Sequence, residues 1–243
     1  MIFGTRVFVV VPAFREAARL PRVLESMPAE VDRVIVVDDA SDDGTLEVAR
    51  SSADPRVVAV THARNRGVGA ALATGYRAAL ESPAAERGGR DAFVVMAGDG
   101  QMDPLDLPAL VLPVARGEAD YVKGDRFAHP RARAIPWTRR AGGLAMTALT
   151  RAAIALPIHD SQCGYTAIAR AACAELDLDA LWPRFGYPND LLAMLARNGA
   201  RIVEVPVRPV YHPDPRNKLA ARHVPMIAAV ILRAWLRKTT GRG

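Results

Sequence analysis

The 243-residue chain is poor in cysteine, holding only Cys163 and Cys173 without metal-type spacing. A disulfide scaffold and a thiolate metal site are both excluded. Long apolar runs are missing too. The nearest to the ~20 residues that a bilayer span requires is VPMIAAVILRAWL at 224–236, interrupted by Arg233. It reads as a core helix or as one lying in a membrane interface. No apolar segment precedes a cleavage-type site, so a reducing cytoplasm is the expected setting. Repeats and low-complexity stretches are absent, and His129, His159, His212 and His223 lack ligand spacing and read as structural or surface residues. Acid is scarce at one end. From residue 201 onward nine Arg and Lys face only Glu204 and Asp214, which accounts for the whole net charge of +6. Such an end expects an anionic partner, whether phosphate, membrane surface or nucleic acid, with a solvated basic tail as the bland alternative.

What is present belongs to a globular protein. Half the residues are hydrophobic and 24% charged, which excludes disorder and supplies a core for one α/β domain or two small ones. VFVVVPAF at 7–14 is a continuous apolar run of the kind buried on both faces of a parallel sheet. A helical pattern follows at 16–27, then a second strand at 33–38, a helix at 41–51 and a third strand at 57–61. An Ala-rich helix follows the glycine turn at 66–69, and DAFVV opens a fourth strand. This βαβ succession predicts a mostly parallel sheet with helices on both faces and ligands beyond the carboxyl ends of its strands. After Leu105 the alternation stops. A strand is expected at 119–126, helices at 138–156, 169–176 and 189–198, and a bent strand or strand pair at 200–211.

Three acids close these strands. Asp99, flanked by Gly98 and Gly100 in GDGQMDP, is the natural ligand for Mg²⁺ or Mn²⁺, which take one or two carboxylates and complete their shell with diphosphate oxygens and water. Of Asp38 and Asp39, one is expected to cap the helix near Ser41; the other, Asp39, is left to accept from a base or a ribose hydroxyl. GVGA at 67–70 is not a dinucleotide fingerprint, because Leu72 holds the third glycine position and the segment follows the third strand.

The ordered set VVPAFREAARL, VIVVDDASDDGT, NRGVGAALATGY, MAGDGQMDP, DSQCGYTAI and GYPNDLL to VEVPVRPVY resembles family 2 glycosyltransferases over residues 7 to about 219, in the branch of dolichol-phosphate mannosyl- and glucosyltransferases. The resemblance implies a single-domain GT-A fold and an inverting transfer from a UDP- or GDP-sugar. It divides the chain into a nucleotide-sugar half, 1–122, and an acceptor half, 123–243. Pro12, Phe14 and Glu16 would line the nucleotide pocket, with Val37 and Asp39 around the base. Gly98, Asp99 and Gln101 would meet the metal and diphosphate, and Arg126 would help hold phosphate. Asp160 and Asp190 would be the acceptor-side acids. The chain departs from the pattern at Ala97, where the first acid of Asp-x-Asp is usual, so the metal rests on Asp99 with Gln101 or Asp103. It departs again at Arg15 and Asn189.

If the acceptor is a hydroxyl, Asp160 or Asp190 must take its proton. A polyprenyl phosphate, with a second pKa of about 6, arrives ionised and needs positive charge instead. Lys123, Arg126, Arg131, Arg133, Arg139 and Arg140, with Arg216 and Lys218, are placed to supply it. The expectation is a lipid phosphate acceptor, a protein peripheral to the membrane and a possible homo-oligomer. The alternatives are transfer to a soluble or glycan hydroxyl, and a nucleotide-sugar-binding module without catalysis. Nucleic acid is not an expected partner, since no aromatic-basic strand motif is present.

Overall fold

The computed structural model describes residues 1–82, 91–211 and 224–240. Arg216 and Lys218 lie outside the described residues. Strands β1 (Arg6–Ala13), β2 (Arg33–Asp38), β3 (Val57–Thr61), β4 (Asp91–Val95), β5 (Tyr121–Asp125), β6 (Thr166–Ala169) and β7 (Ile202–Pro206) form one sheet in the order β3-β2-β1-β4-β6-β5-β7. All neighbours are parallel except β6, which runs antiparallel to both β4 and β5. The helices are α1 (Leu20–Glu25), α2 (Thr45–Arg50), α3 (Val68–Glu81), α4 (Leu107–Ala115), α5 (Trp137–Ile154), α6 (Arg170–Ala174), α7 (Tyr187–Arg197) and α8 (Val224–Thr240).

The unbroken apolar run of β1 is explained by its central place, with a core on each face. Phe8 and Val10 pack with Tyr76 of α3 and with Phe93, whose ring meets Phe8 edge-on at 5.5 Å. Val7, Val9 and Val11 face the opposite core with Leu110 and Val111 of α4. Gly75 lets α3 close on β1, since a Cβ there would fall 2.2 Å from Val10 Cγ1.

The departures from expectation are local. The first two helices start late, at Leu20 and Thr45, because the residues ahead of each are used in turns. Ser41 N donates to both Asp38 oxygens at 3.3 Å, Gly44 takes φ +88°, and Thr45 N donates to Asp43 at 3.1 Å. β6 is not expected from the sequence and ends where a helix is expected to begin, at 169, with α6 following at Arg170; its four residues, TAIA, carry no periodic signal of their own. α4 forms despite Pro113, held by buried Leu107, Leu110, Val111 and Val114. Residues 200–211 give one strand, not a pair. With these directions β1 to β5 and β7 all end on one rim and β6 begins there, so the acids expected on that rim share it with Asp125 and residues 160–165.

Candidate active site

On the part of the rim formed by β1 to β4, the loop after β1 is stitched to the loop after β2. Arg15, at φ +57°, donates its backbone N–H to Ser41 Oγ at 2.9 Å, and Glu16 N donates to Thr45 Oγ1 at 2.9 Å. The Arg15 guanidinium pairs with Asp42 and stands 5.2 Å from the centre of the Phe14 ring. The Glu16 carboxylate takes a bond from Arg19 at 2.8 Å. Pro12 is buried, and Phe14 keeps 41% of its surface exposed, leaving an aromatic face at the rim. Val37 differs from expectation. Its side chain is fully buried in the core of β2, so it cannot reach a base.

Asp39 also corrects the sequence reading. It is 3% exposed, and its oxygens accept from His62 Nδ1 at 2.7 Å, Arg66 N at 2.8 Å and Gly67 N at 2.7 Å. His62 continues to Thr74 Oγ1 at 2.9 Å. A chain of bonds therefore ties the end of β2 to the loop that starts α3, and Asp39 is not free for a ligand. That loop packs tightly elsewhere. A Cβ on Gly67 would meet Pro183 O at 2.5 Å and one on Gly69 would meet Trp182 O at 2.1 Å, which accounts for both glycines without a nucleotide.

Asp99 sits half-buried at the rim after β4. Its Oδ1 accepts Gln101 N at 3.0 Å across Gly100, at φ +71°, forming a tight turn that presents both side chains from one loop. Gly98 closes against β1, its N–H donating to Pro12 O at 3.1 Å. Asp103 is unavailable as a ligand, because it pairs with Arg208 at 2.7 Å and accepts Leu105 N at 3.0 Å. The remaining donors, a carboxylate and an amide oxygen on one turn, fit a hard divalent ion that keeps most of its shell for diphosphate and water.

The rim at β5 to β7 is organised by an ion pair between the buried Asp160 and the partly exposed Arg126. Arg126 Nε and Nη2 reach Asp160 at 2.7 and 2.9 Å, and Arg126 N adds a third bond at 3.2 Å. Asp160 has no exposed surface. Burial works to raise its carboxyl, but the Arg126 bonds and charge outweigh that and hold it below the usual carboxylate range. Asp190 is equally buried, and its Oδ2 accepts Trp182 N at 2.8 Å. Neither acid stands open to an acceptor, contrary to expectation. Asn189 joins Thr150, Ser161 and Gln162 in a polar network beneath them, with Thr150 Oγ1 donating to Asn189 Oδ1 at 2.8 Å.

The basic stretch divides in the same way. Lys123 is fully buried, with its ammonium bonded to Cys163 O and its pKa driven down by burial, so it contributes nothing to the surface. Arg131, Arg133 and Arg140 are exposed, and Arg139 lies 4.8 Å over the Tyr211 ring. Arg139 and Arg140 occupy the first turn of α5, which has no side-chain cap and no acid. Two arginines of the basic end are neutralised internally, Arg201 by Asp120 and Arg208 by Asp103. Burial raises the Cys163 thiol, consistent with a packing residue. The sequence reading missed Glu204, whose oxygens accept His159 N at 2.7 Å and Asp160 N at 2.9 Å and so fix the segment bearing Asp160. No signal in the sequence marks it, since its place opposite Lys123 exists only once β5 and β7 pair.

Comparison with known proteins fits this geometry. The model of "Glycosyl transferase family 2" matches residues 8–177. An undecaprenyl-phosphate mannosyltransferase of Micrococcus luteus is 34% identical, covering 83% of this chain and 82% of its own. A polyprenol monophosphomannose synthase of Mycolicibacterium smegmatis is 32% identical, covering 83% and 76%. Among solved structures, glucosyl-3-phosphoglycerate synthase of Mycobacterium tuberculosis in complex with phosphoglyceric acid superposes with a TM-score of 0.69 at 24% identity, over 95% of this chain and 80% of that one. A parallel sheet with one antiparallel strand, an Asp99 turn on its rim and a family match across most of the chain together identify the protein as a member of glycosyltransferase family 2 with the GT-A fold.

Proposed function

We propose that this glycosyltransferase moves a hexose, with inversion, from a UDP- or GDP-sugar to a polyprenyl phosphate. One observation carries the choice of acceptor: the two acids offered as general bases, Asp160 and Asp190, are both fully buried and engaged. A hydroxyl acceptor needs a base within reach. A phosphate monoester with a second pKa of about 6 does not. The names of the Micrococcus and Mycolicibacterium relatives support the same acceptor class.

In this reading the 1–122 half holds the donor, with Phe14 offering its ring to the base and the Phe14–Glu16 loop held by the Ser41–Thr45 loop. Asp99 and Gln101 would hold Mg²⁺ or Mn²⁺, which supplies positive charge against the diphosphate as it leaves. The acceptor half orients the nucleophile. The first turn of α5 joins Arg139 and Arg140 to the helix's own positive end, a combination suited to a phosphate dianion. A phosphate oxygen attacks the anomeric carbon from the face opposite the nucleotide. Its bond forms as the bond to the diphosphate breaks. Asp160 acts by fixing Arg126 at the edge of that site.

A peripheral position at the cytoplasmic face of a membrane belongs to the same proposal. No described helix is long and apolar enough to cross a membrane. α5 carries no acid and exposes Trp137 at 79%, Leu144 and Leu149 beside Arg140 and Arg151, while α8, packed against it, exposes Leu232, Trp235 and Leu236. Apolar and cationic side chains without carboxylates suit an anionic lipid surface. The test is a screen of UDP- and GDP-hexoses with Mn²⁺ or Mg²⁺ and a short polyprenyl phosphate. A lipid-linked hexose product is expected. Donor turnover that requires a soluble glycan instead would overturn the acceptor.

A further inference from the structure

Away from the Asp99 turn, a second set of ligating groups meets at the outer edge of the sheet. Asp125 ends β5, His159 precedes β6, and Glu204 belongs to the edge strand β7. One ligand atom from each lies within 4.8 Å of the other two. The same three line a cavity of about 480 Å³ whose walls are otherwise apolar, among them Leu156, Ile158, Ile202 and Val205. Because β6 separates β4 from β5, this cluster stands about two strand spacings, ~10 Å, from the end of β4.

Backbone donors already orient the acids. Asp125 Oδ1 accepts Phe127 N at 2.8 Å and Ala128 N at 3.1 Å, which leaves Oδ2 for a ligand. Glu204 Oε1 accepts Asp160 N at 2.9 Å, and Oε2 accepts His159 N at 2.7 Å while standing 2.8 Å from His159 Nδ1. Bonds of this kind set the direction of metal ligands in known sites. In a tetrahedral shell with ligands at ~2.0–2.2 Å from the ion, ligand atoms lie about 3.3–3.6 Å apart. The His159–Glu204 contact needs to open by about half an ångström, and Asp125 to close by ~1.5 Å at most, movements within reach of side chains.

We propose that Asp125, His159 and Glu204 form a binding site for a divalent transition ion of the Zn²⁺ type, distinct from the Asp99 site. One imidazole and two carboxylates favour such an ion over Mg²⁺, which prefers oxygen alone. The neutral imidazole gives its lone pair and keeps its proton on the other nitrogen, and the fourth position opens on the cavity. The placement has a consequence for the acceptor side. Asp125 immediately precedes Arg126 and His159 immediately precedes Asp160, so one ion ties together the two segments that carry the buried pair.

The test uses tag-free Asp99→Ala protein, which removes the donor-side ligand, titrated with Zn²⁺ by calorimetry and with Co²⁺ by visible absorption. The expected result is one equivalent bound, a four-coordinate Co²⁺ spectrum and a rise in Tm with Zn²⁺. Adding His159→Ala should weaken Zn²⁺ binding more than tenfold and remove the rise in Tm. The His159 side chain is 66% exposed, so its truncation spares the packing. Asp125→Asn should act likewise. The absence of Zn²⁺ binding by the Asp99→Ala protein, or binding weakened less than tenfold by His159→Ala, would overturn the proposal.

Discussion

The two halves of the rim spend their charged residues differently. Near the ends of β1 to β4, Asp38, Asp39 and Asp43 accept backbone N–H groups and so hold loops in place, and Asp99, half-buried at the rim, accepts Gln101 N within its own turn. On the acceptor side the acid is cancelled by an arginine, Asp160 by Arg126, and the accessible charge is the positive set at the start of α5. In the proposed reaction a cation stands between two anions at one end and a third anion is received at the other, and that division of charge suits it. The lesson is that acids gathered on one rim are not equivalent, because most of their oxygens hold backbone N–H groups and position alone does not mark a ligand.

Substitutions along the rim probe this contrast. Asp99→Ala should cut transfer by ~10³-fold, about 4 kcal/mol of transition-state stabilisation, with the circular-dichroism spectrum unchanged. Near-normal turnover would erase the donor side's distinct role. Asp160→Asn should instead act on stability, by ~1.5–3 kcal/mol in urea denaturation at pH 7, because the bonds from the partly exposed Arg126 to a buried carboxylate are weakened. Its sign with pH follows from the lowered carboxyl. The Asp160 contribution is fully present above the ordinary carboxylate value of about 3.9 and is lost as pH falls through its lower folded value, so wild type and variant should converge in strong acid. Replacing both partners with apolar residues should restore much of the stability and none of the transfer.

Asp39→Asn should cost about 2 kcal/mol by the same denaturation assay, since it weakens three charge-assisted bonds, and should leave the donor KM nearly unchanged in folded protein. A large rise in donor KM with unaltered stability would return Asp39 to the nucleotide. The smallest effect expected is from Arg139→Glu with Arg140→Glu, which should raise the KM for polyprenyl phosphate by about tenfold while sparing metal-dependent donor binding. Acids in the first turn favour a helix, so α5 should remain folded.

Much of the first half was legible because the buried strands β1, β2 and β4 are nearly continuous apolar runs, with Asp38 closing β2 and Asp99 following β4. β2 and β3 fall where the pattern places them, and Asp99 lies at the rim. Asp39 could not be read from its neighbours, since its partners His62 and Gly67 lie more than twenty residues away and meet it only when β3 and α3 are in place. Lys123 looked like surface charge beside Arg126, yet β5 is buried on both faces, so Lys123 lies in the interior, in register with Thr166 and Glu204. β6 was hidden by its length and by its reversed direction, which no local signal announces. The histidine of the edge cluster was read as surface, and it is exposed. What the sequence could not tell is that β7 brings Glu204 to it from 45 residues away.

The central claim is that the nucleophile reaches the site already ionised, and the most direct measurement compares two acceptors that differ only in that group. With a labelled nucleotide-hexose and Mn²⁺, a short polyprenyl phosphate and the corresponding free polyprenol are offered to the same enzyme. The account predicts transfer to the phosphate with kcat/KM rising through about pH 6 to a plateau, and none to the alcohol. Comparable transfer to the alcohol would contradict it.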